Sequence, residues 1–287
     1  MNKQTFLTLL ATFVLLFSFT FSCSAKGKDK AKHVVFIGLD GWGAYSLPKA
    51  DMPNVKKLME DGSYTLKKRS ALPSSSAINW ASMFMGAGPE LHGYTEWGSK
   101  TPELPSRVLN KNGIFPTVFQ LLRDARPEAE IGCLYEWEGI KYLVDTLSLN
   151  YHYHVADCNK TPKELGNMSS SYIKEKHPAL VAICFDGPDH TGHTEGHDTP
   201  AYYEKLKELD SYVGQIVQAV KDAGMLDDTI FILTSDHGGI DKGHGGKTMQ
   251  EMETAFIISG KNIKKRPPIR RCKYDAIRCG LHNCLHL

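Results

Sequence analysis

Short apolar runs recur along the chain and predict the strands of a buried sheet. Four of them are rich in β-branched or aromatic residues, at positions 33–39, 180–185, 229–234 and 255–259. Continuous apolar runs of this length are typical of strands in a parallel sheet that is covered on both faces. We therefore expect these four segments to form the centre of such a sheet.

Between these runs the apolar residues follow a helical spacing. The clearest case is the stretch 201–223, where Leu206, Leu209, Val213 and Val220 recur at helical intervals. Three shorter segments also favour helices, at 52–60, 79–85 and 118–123. Strands that alternate with helices predict an α/β fold, here a three-layer sandwich with a largely parallel central sheet. Such folds bind ligands at the carboxyl ends of their strands.

Acidic and imidazole side chains follow three of the predicted strands. Asp40 ends the first, Asp186 ends the second with Asp189 just beyond, and Asp236 and His237 follow the third. One aspartate at a strand end more often caps a helix. Three such ends followed by glycine-rich turns favour a shared site instead, because parallel strands present their carboxyl ends at one edge.

The types and spacing of these residues indicate metal binding. Asp189 and His193 are four residues apart, which places them on one face of a helical turn within reach of one ion. His244 lies in a second glycine-rich loop at 243–246. Taken singly, Asp189 can be a helix cap and His244 an ordinary loop histidine. Carboxylates and imidazoles together on strand-end loops favour a divalent-metal site.

A candidate nucleophile lies in the serine run that follows Pro73 and precedes the helix predicted at 79–85. A serine at this junction can simply cap the helix. The same position suits anion binding, because the free N–H groups and the dipole of a helix amino terminus favour negative charge. Asn79 can turn its amide toward the same anion. Spacing alone leaves Ser74, Ser75 and Ser76 as alternatives.

The amino terminus has the pattern of a secretory signal peptide, which we place at residues 1–25. Lys3 precedes an apolar run at 6–21 that is short for a membrane span and ends in small residues. Cleavage after Ala25 would free the protein, whereas cleavage before Cys23 would leave a lipid-anchored cysteine. We favour export to the periplasm, cell surface or medium and leave the anchor open.

Charge and cysteines are unevenly distributed. The net charge is +2, but residues 1–32 carry +4 and residues 261–287 carry +7, so the body at 33–260 carries −9. An acidic body argues against a nucleic-acid groove and suits a site whose positive charge comes from bound metal. Of seven cysteines, Cys184 lies in an apolar run where a free thiol packs well, and Cys133 and Cys158 can pair after export.

With these residues assembled, the chain resembles the alkaline phosphatase superfamily and, within it, the nucleotide pyrophosphatase/phosphodiesterase branch. The resemblance covers roughly residues 33–260, between a basic linker at 26–32 and an atypical basic, Cys-rich tail at 261–287. It rests on separate motifs in the expected order: Gly38-Leu39-Asp40-Gly41, Ser76 ten residues before Gly86, Asn79, Pro89-Glu90-Leu91-His92-Gly93, Pro188 through His193, and Asp236-His237-Gly238.

The resemblance implies roles for individual residues. Ser76 would be the nucleophile, Asn79 would help to bind the phosphoryl oxygens, and the element at 89–93 would be structural. Two divalent cations are implied, and zinc fits the mixed ligands. The implied ligands of one ion are Asp189, His193 and His244. Those of the other ion are Asp40, Ser76, Asp236 and His237.

The chain differs from the branch in three respects. It carries serine where the phosphodiesterases usually carry threonine, its last metal-binding histidine comes much earlier, and a basic tail follows the last predicted strand. The implied activity is hydrolysis of a small-molecule phosphodiester or nucleotide pyrophosphate through a phosphoseryl intermediate. A phosphomonoesterase is the second reading, sulfate-ester hydrolysis ranks lower, and an inactive metal-binding exported protein is the alternative of a different class. Trp80, Tyr94 and Trp97 are candidates to stack on a nucleotide base, although packing is the commoner role of such residues.

Overall fold

A computed structural model describes residues 30–156 and 161–266 of the 287-residue chain. The signal peptide, the possible anchor at Cys23, Cys158 and most of the basic tail lie outside the described residues. Those expectations, and the domain boundaries that depend on them, stay predictions.

The described residues form one seven-stranded sheet in the order β2-β7-β6-β1-β5-β3-β4. Its strands are β1 His33–Leu39, β2 Gly62–Arg69, β3 Ile131–Tyr135, β4 Tyr151–His154, β5 Leu180–Phe185, β6 Thr229–Thr234 and β7 Glu253–Gly260. β1 pairs in parallel with β5 and β6, and β3 pairs in parallel with β4 and β5. β7 is antiparallel to both of its neighbours, β2 and β6. The prediction of a largely parallel sheet is therefore confirmed, but the predicted strand at 255–259 runs against the others.

Helices lie between the strands, together with short 3-10 turns. The helices are α1 Pro53–Glu60, α2 Ser76–Met85, α3 Pro89–His92, α4 Val118–Ala125, α5 Lys163–Lys176, α6 Gly187–Glu195, α7 Pro200–Asp222 and α8 Met249–Met252. All four predicted helices are present, with ends that differ by up to three residues. Pro53 and Pro200 stand at the first positions of α1 and α7, where the missing N–H of proline leaves no helical hydrogen bond unmade.

Two apolar cores lie on opposite faces of the sheet. Successive residues of a strand point to opposite faces, so Val34 and Phe36 of β1 join one core and Val35 and Ile37 join the other. The first core contains side chains of α2 and α4, and the second contains those of α1, α5 and α7. The fold is thus the three-layer α/β sandwich that the sequence predicts.

Two further expectations concern membranes and thiols. Within residues 30–156 and 161–266, no helix combines the length and the apolarity that crossing a bilayer requires. Cys184 is a buried free thiol, as expected, and Cys133 is also buried and has no disulfide partner among the described residues. A pairing of Cys133 with Cys158 stays a prediction, because Cys158 lies outside the described residues.

Candidate active site and metal centre

The site lies at the carboxyl ends of three adjacent strands. β1 lies between β5 and β6, so the residues that follow these strands come to one edge of the sheet. Asp40 follows β1, Asp186 follows β5, and Asp236 and His237 follow β6 after Ser235. The parallel pairing of the three strands brings together groups that are up to 197 residues apart in sequence.

Asp40 accepts a hydrogen bond from the indole of Trp80. Trp80 Nε1 donates a hydrogen bond of 2.8 Å to Asp40 Oδ2, and both residues are buried. The indole reaches this position by crossing β1 at Gly38, where an added Cβ would lie 2.2 Å from the ring. Glycine at position 38 is therefore required for the close approach of α2 to the strand end.

Asp236 and His237 lie beside Asp40 and are fully buried. Asp236 Oδ1 accepts a hydrogen bond from the backbone N–H of Gly41 at 3.2 Å, whereas its Oδ2 is buried with no hydrogen-bond partner. His237 Nε2 lies 3.3 Å from that oxygen and 3.4 Å from Asp40 Oδ1. An unpaired buried carboxylate oxygen is costly unless a cation or a donor satisfies it.

Asp189 and His193 lie on α6 and meet as predicted. His193 Nε2 is 3.1 Å from Asp189 Oδ2, and His244 Nε2 is 3.7 Å from the same oxygen. The rings of His237 and His244 stack with their centroids 3.8 Å apart, which joins the two halves of the site. The other oxygen of Asp189, Oδ1, is buried without a hydrogen-bond partner.

The three histidines of the predicted ligand set share one orientation. In His193, His237 and His244, Nδ1 lies 2.8–3.1 Å from a backbone carbonyl oxygen, while Nε2 faces the carboxylates. The carbonyls belong to Lys242, Gly238 and Ser74, respectively. Because a carbonyl only accepts, Nδ1 carries a proton in each ring, and neutral imidazole then presents the Nε2 lone pair to the site. This arrangement is the usual one for histidines that bind a metal.

Ser76 is the first residue of α2 and the serine that reaches this cluster. Its Oγ lies 3.1 Å from His237 Nε2 and 3.5 Å from Asp40 Oδ1. The other two serines of the run turn elsewhere: Ser74 Oγ donates to the carbonyl of Gly246, and Ser75 Oγ lies 3.5 Å from His244 Nδ1. The structure therefore separates three serines that spacing alone could not.

Asn79 does not turn its amide into the site. Its side-chain NH₂ lies 3.0–3.2 Å from the carbonyls of Ala71, Pro73 and Ser75, and its Oδ1 accepts from the N–H of Ala71 at 2.7 Å. The side chain is fully buried. The expected turn of Asn79 toward a phosphoryl oxygen is thus absent from this conformation, because the loop at 71–75 already uses the amide. Asn79 fixes the loop that leads to Ser76.

Burial and neighbouring charges shift the pKa values of the site residues in different directions. Burial raises the pKa of Asp40 well above its ordinary value, and the charges of Asp236 and Asp189 raise it further. Burial also raises the pKa of Asp236, and raises that of Asp186 to about 7. For Asp189 burial acts in the same direction, but the hydrogen bond with His193 and the nearby imidazoles outweigh it and lower the pKa. The bond with Asp189 raises the pKa of His193 to about 9.

The donor atoms fit divalent cations. Two sets have ligand atoms within 4.8 Å of one another: Asp189 with His193 and His244, and Asp40 with Asp189 and His237. The first matches the predicted ligands of one ion. The second contains Asp189 in place of the predicted Asp236, although the unpaired Asp236 Oδ2 lies beside it. Carboxylates whose pKa values are raised by burial and by the neighbouring carboxylates are stabilised by a cation, and mixed oxygen and nitrogen donors suit zinc.

One buried histidine next to the cluster, His197, lies outside the predicted set of site residues. The side chain of His197 has no exposed surface, and its Nε2 lies 3.8 Å from Asp189 Oδ1. Burial lowers its pKa to about 4. Its spacing of four residues from His193 repeats the spacing of His193 from Asp189, which was the available signal. α6 ends at Glu195, so His197 reaches the site through the turn at Gly196 and not along the helix.

The other motif residues fall into two groups. His92 is buried, accepts from the N–H of Tyr94 at 3.1 Å and lies 3.0 Å from Ser82 Oγ, a structural position as expected. Trp80 and Tyr94 are buried in the core and have no free face for a ligand. Trp97 is 67% exposed, and its carbonyl accepts from the N–H of Ala77, the residue after Ser76. Of the three aromatic candidates, Trp97 is therefore the one that is exposed.

The three-layer fold is similar to that of solved structures of the alkaline phosphatase superfamily and of related hydrolases. Among solved structures, the fold matches a superfamily protein from Vibrio parahaemolyticus with a TM-score of 0.62 at 17% identity, over 88% of this chain and 65% of that one. It matches murine ectonucleotide pyrophosphatase/phosphodiesterase 5 in complex with AMP with a TM-score of 0.56 at 19% identity, over 73% and 57%. A 2-O GAG sulfatase matches with a TM-score of 0.67 at 13% identity, over 87% and 68%. At these identities the matches show the fold.

The sequence assigns the family more narrowly. The family model for type I phosphodiesterase / nucleotide pyrophosphatase matches residues 34–256, and the chain belongs to this family. A bis(5'-adenosyl)-triphosphatase of Mus musculus is 25% identical over 73% of this chain and 48% of its own length. GPI ethanolamine phosphate transferase 3 of Schizosaccharomyces pombe is 29% identical over 42% of this chain and 13% of its own length. The chain therefore spans about half or less of the length of these relatives.

Proposed function

We propose that this protein hydrolyses phosphodiester or nucleotide pyrophosphate bonds, with Ser76 as the nucleophile and two divalent cations, zinc by the fit of the donors, as cofactors. The observation that carries the proposal is the position of Ser76 Oγ. It lies at the amino terminus of α2, 3.1 Å from His237 Nε2 and 3.5 Å from Asp40 Oδ1. Membership of the type I phosphodiesterase family supports this chemistry.

The site residues would hold the two cations and stabilise negative charge on the nucleophile and the substrate. Asp189, His193 and His244 would hold one ion, and Asp40, Ser76, Asp236 and His237 the other. When bound, the cations would act as Lewis acids that favour the ionised hydroxyl of serine and of water and neutralise phosphoryl oxygens. The amino terminus of α2 favours the same negative charge through its free N–H groups.

The proposed reaction has two steps, formation of phosphoserine and its hydrolysis. Ser76 Oγ forms a bond to phosphorus while the bond from phosphorus to the leaving oxygen breaks, and the released alcohol or nucleotide takes up a proton. The product on the chain is phosphoserine. Water then attacks phosphorus, the bond to Ser76 Oγ breaks, and the serine hydroxyl is restored. In-line attack requires Ser76 to be held in one orientation, which the hydrogen bonds of Asn79 and Ser74 to the flanking loops provide.

Two observations favour a diester or pyrophosphate over a monoester. A monoester carries more negative charge and needs donors such as arginine, and within residues 30–156 and 161–266 no arginine is hydrogen-bonded to or paired with the site residues named above. A diester needs a surface for its second substituent. Trp97 is the candidate for this surface, because the residue is 67% exposed and its carbonyl accepts a hydrogen bond from the N–H of Ala77, the residue after Ser76. The AMP bound to the murine relative fits a nucleotide as that substituent.

A two-substrate assay tests the proposal. The zinc-loaded protein should cleave a nucleotide aryl phosphodiester with a higher kcat/KM than the corresponding aryl phosphomonoester. Faster cleavage of the monoester would support a phosphomonoesterase. Two bound zinc ions without turnover of either substrate would support the inactive metal-binding alternative.

Variants of the serine run test the nucleophile. Ser76→Ala should abolish turnover and leave the metal content near normal. Ser76→Thr should retain activity, because threonine keeps a hydroxyl at the same position. Ser75→Ala is the matched control and should keep most of the activity. Turnover that persists in Ser76→Ala would exclude Ser76 as the nucleophile.

We also propose that the protein is exported. The apolar run at 6–21 and the small residues at 22–25 support a signal peptide, so we place the protein outside the cytoplasm. Mass determination of the mature amino terminus would separate cleavage after Ala25 from lipid attachment at Cys23. An uncleaved start at Met1 in the native host would contradict the proposed export.

A further inference from the structure

His197 is a buried histidine behind the metal-ligand cluster that the proposed mechanism does not use. It follows Gly196, whose φ of +99° turns the chain back toward the sheet after α6. The backbone N–H of His197 donates to the carbonyl of Asp241 at 2.6 Å, which ties it to the loop that follows β6. Its side chain has no exposed surface.

The imidazole of His197 lies in a slot between two glycines. A Cβ added at Gly192 would lie 2.3 Å from His197 Nε2, and a Cβ at Gly239 would lie 2.2 Å from it. The ring of Tyr202 packs 5.3 Å away, centroid to centroid. Glycine at both positions is therefore needed to admit the ring, and the chain maintains a close-fitting place for an imidazole at this point.

The polar atoms of this ring have no hydrogen-bond partner among the described residues. Both Nδ1 and Nε2 of His197 are buried and unpaired. A buried polar group without a hydrogen-bond partner is costly to the fold.

One unpaired atom faces His197. Asp189 Oδ1 lies 3.8 Å from His197 Nε2 and is itself buried without a partner. The other oxygen, Oδ2, faces the imidazoles of His193 at 3.1 Å and His244 at 3.7 Å. Oδ2 of Asp189 thus lies near the imidazoles of His193 and His244, whereas Oδ1 lies near that of His197.

We propose that His197 is a positioning residue that donates a hydrogen bond from Nε2 to Asp189 Oδ1 and so directs Oδ2 toward the cation. The inference rests on the proposed metal site. Shortening the separation from 3.8 Å to hydrogen-bond length requires a movement of about 1 Å. The bond satisfies two buried atoms at once and fixes the rotation of the carboxylate about its χ2 angle.

The geometry favours this role over direct ligation. His197 approaches Asp189 from the side of Oδ1, whereas the ligand atoms of His193 and His244 gather at Oδ2. A carboxylate ligand whose second oxygen accepts a hydrogen bond is held more firmly, and loss of such a partner weakens metal binding about 10–100-fold.

Zinc competition against a chromophoric chelator tests the proposal without any assay of turnover. In His197→Phe the ring is kept and the donor removed, so one of the two zinc ions should bind about 10–100-fold more weakly. His197→Gln, whose amide can place an N–H near the position of Nε2, should recover most of the affinity. His152→Phe, at an exposed position on the edge strand β4, is the control and should bind zinc like the wild type.

Two companion measurements separate positioning from packing and from ligation. The melting midpoint of metal-free His197→Phe should stay close to that of the wild type, because removal of a buried unpaired polar ring offsets the cost of fitting a larger ring into the slot. The electronic spectrum of the cobalt-substituted variant should keep the band positions of the wild type, since the ligand count is unchanged.

Several results would overturn the proposal. Equal zinc affinity in His197→Phe and the wild type would make His197 a packing residue. A cobalt spectrum that shows one nitrogen donor fewer would make it a ligand. Either result leaves the metal site in place, whereas a wild-type protein that binds no zinc would remove the site and the proposal together.

Discussion

Replacing Trp80 with phenylalanine tests whether the hydrogen bond from the Trp80 indole positions Asp40. The indole donates a 2.8 Å hydrogen bond to Asp40 Oδ2 in a place from which water is excluded. With a cation bound, Asp40 is ionised, and loss of a hydrogen bond to a charged group costs about 1.5–3 kcal/mol. The smaller ring also leaves a void in the core, which adds about 1 kcal/mol. We therefore expect a loss of about 3 kcal/mol in the free energy of unfolding, or roughly 6–12 °C in the melting midpoint for a chain of this size.

The same change should weaken metal binding. The Trp80 hydrogen bond lowers the pKa of Asp40 against the effects of burial and neighbouring carboxylates. Without it the proton competes more strongly with a cation, and the carboxylate is free to rotate. Zinc affinity at one of the two ions should fall about 10–100-fold, as for the loss of other partners of metal ligands.

Phe84→Leu is the matched control for Trp80→Phe. Phe84 stacks on Trp80 with ring centroids 5.8 Å apart and belongs to the same core, but it forms no hydrogen bond with Asp40. It should lower the melting midpoint and leave zinc affinity unchanged. If Trp80→Phe behaved the same way, with normal zinc affinity despite its lower midpoint, the indole would be a packing group and the reasoning about Asp40 would be refuted.

Three further predictions follow from the same geometry. Gly38→Ala places a Cβ 2.2 Å from the Trp80 ring and should cost about 1–3 kcal/mol in thermal unfolding; an unchanged midpoint would show that the indole can move aside. In the metal-free protein, the raised pKa of His193, about 9 against 6.5 when unfolded, contributes stability that is complete below pH 6.5 and lost as the pH rises through 9. Melting between pH 6 and 10 should therefore fall more steeply for the wild type than for His193→Gln, and parallel curves would contradict this. Chelation should lower the melting midpoint and added zinc should restore it. At a zinc concentration 100 times the Kd, each occupied site should raise the free energy of unfolding by about 2.7 kcal/mol. Equal midpoints with and without zinc would argue against cation binding to the folded state.

The centre of the fold was predictable because burial and periodicity agree there. The runs at 33–39, 180–185 and 229–234 are strands with the predicted ends, since strands covered on both faces leave a continuous apolar signal. The strands β2, β3 and β4 were not identified. β2 carries basic residues, of which Lys68 is fully buried and donates to the carbonyl of Ser235, a pairing that no local pattern reveals.

The edge strand β4 and the helices α5 and α6 were not predicted from the sequence, for other reasons. β4 reads Tyr-His-Tyr-His and is only partly buried, so its apolar signal is weak. α5 contains three consecutive serines, and α6 consists largely of glycine, proline, histidine and threonine, which have low helix propensity. α6 is held instead by tertiary contacts, among them a 2.7 Å hydrogen bond from the N–H of Asp186 to Glu136.

At the site, sequence predicted which residues gather but not how each one turns. Asp40, Asp189 and Asp236 meet the histidines because the order of the strands brings their ends together. The orientation of Asn79 depends on the carbonyls of a loop, and the burial of His197 depends on two glycines outside its own segment. Both are properties of the folded surroundings, which spacing along the chain does not encode.

The antiparallel course of β7 has a consequence for how the metal-binding groups are supplied. A parallel strand after β6 would need a crossover to the opposite edge, and the chain would leave the site before returning. Here β7 starts where β6 finishes, so the connection at 235–252 remains at the reactive edge throughout and delivers His244 only eight residues after Asp236. This connection between adjacent antiparallel strands thereby provides the imidazole of His244, and every group named in the catalytic proposal precedes β7 in the sequence.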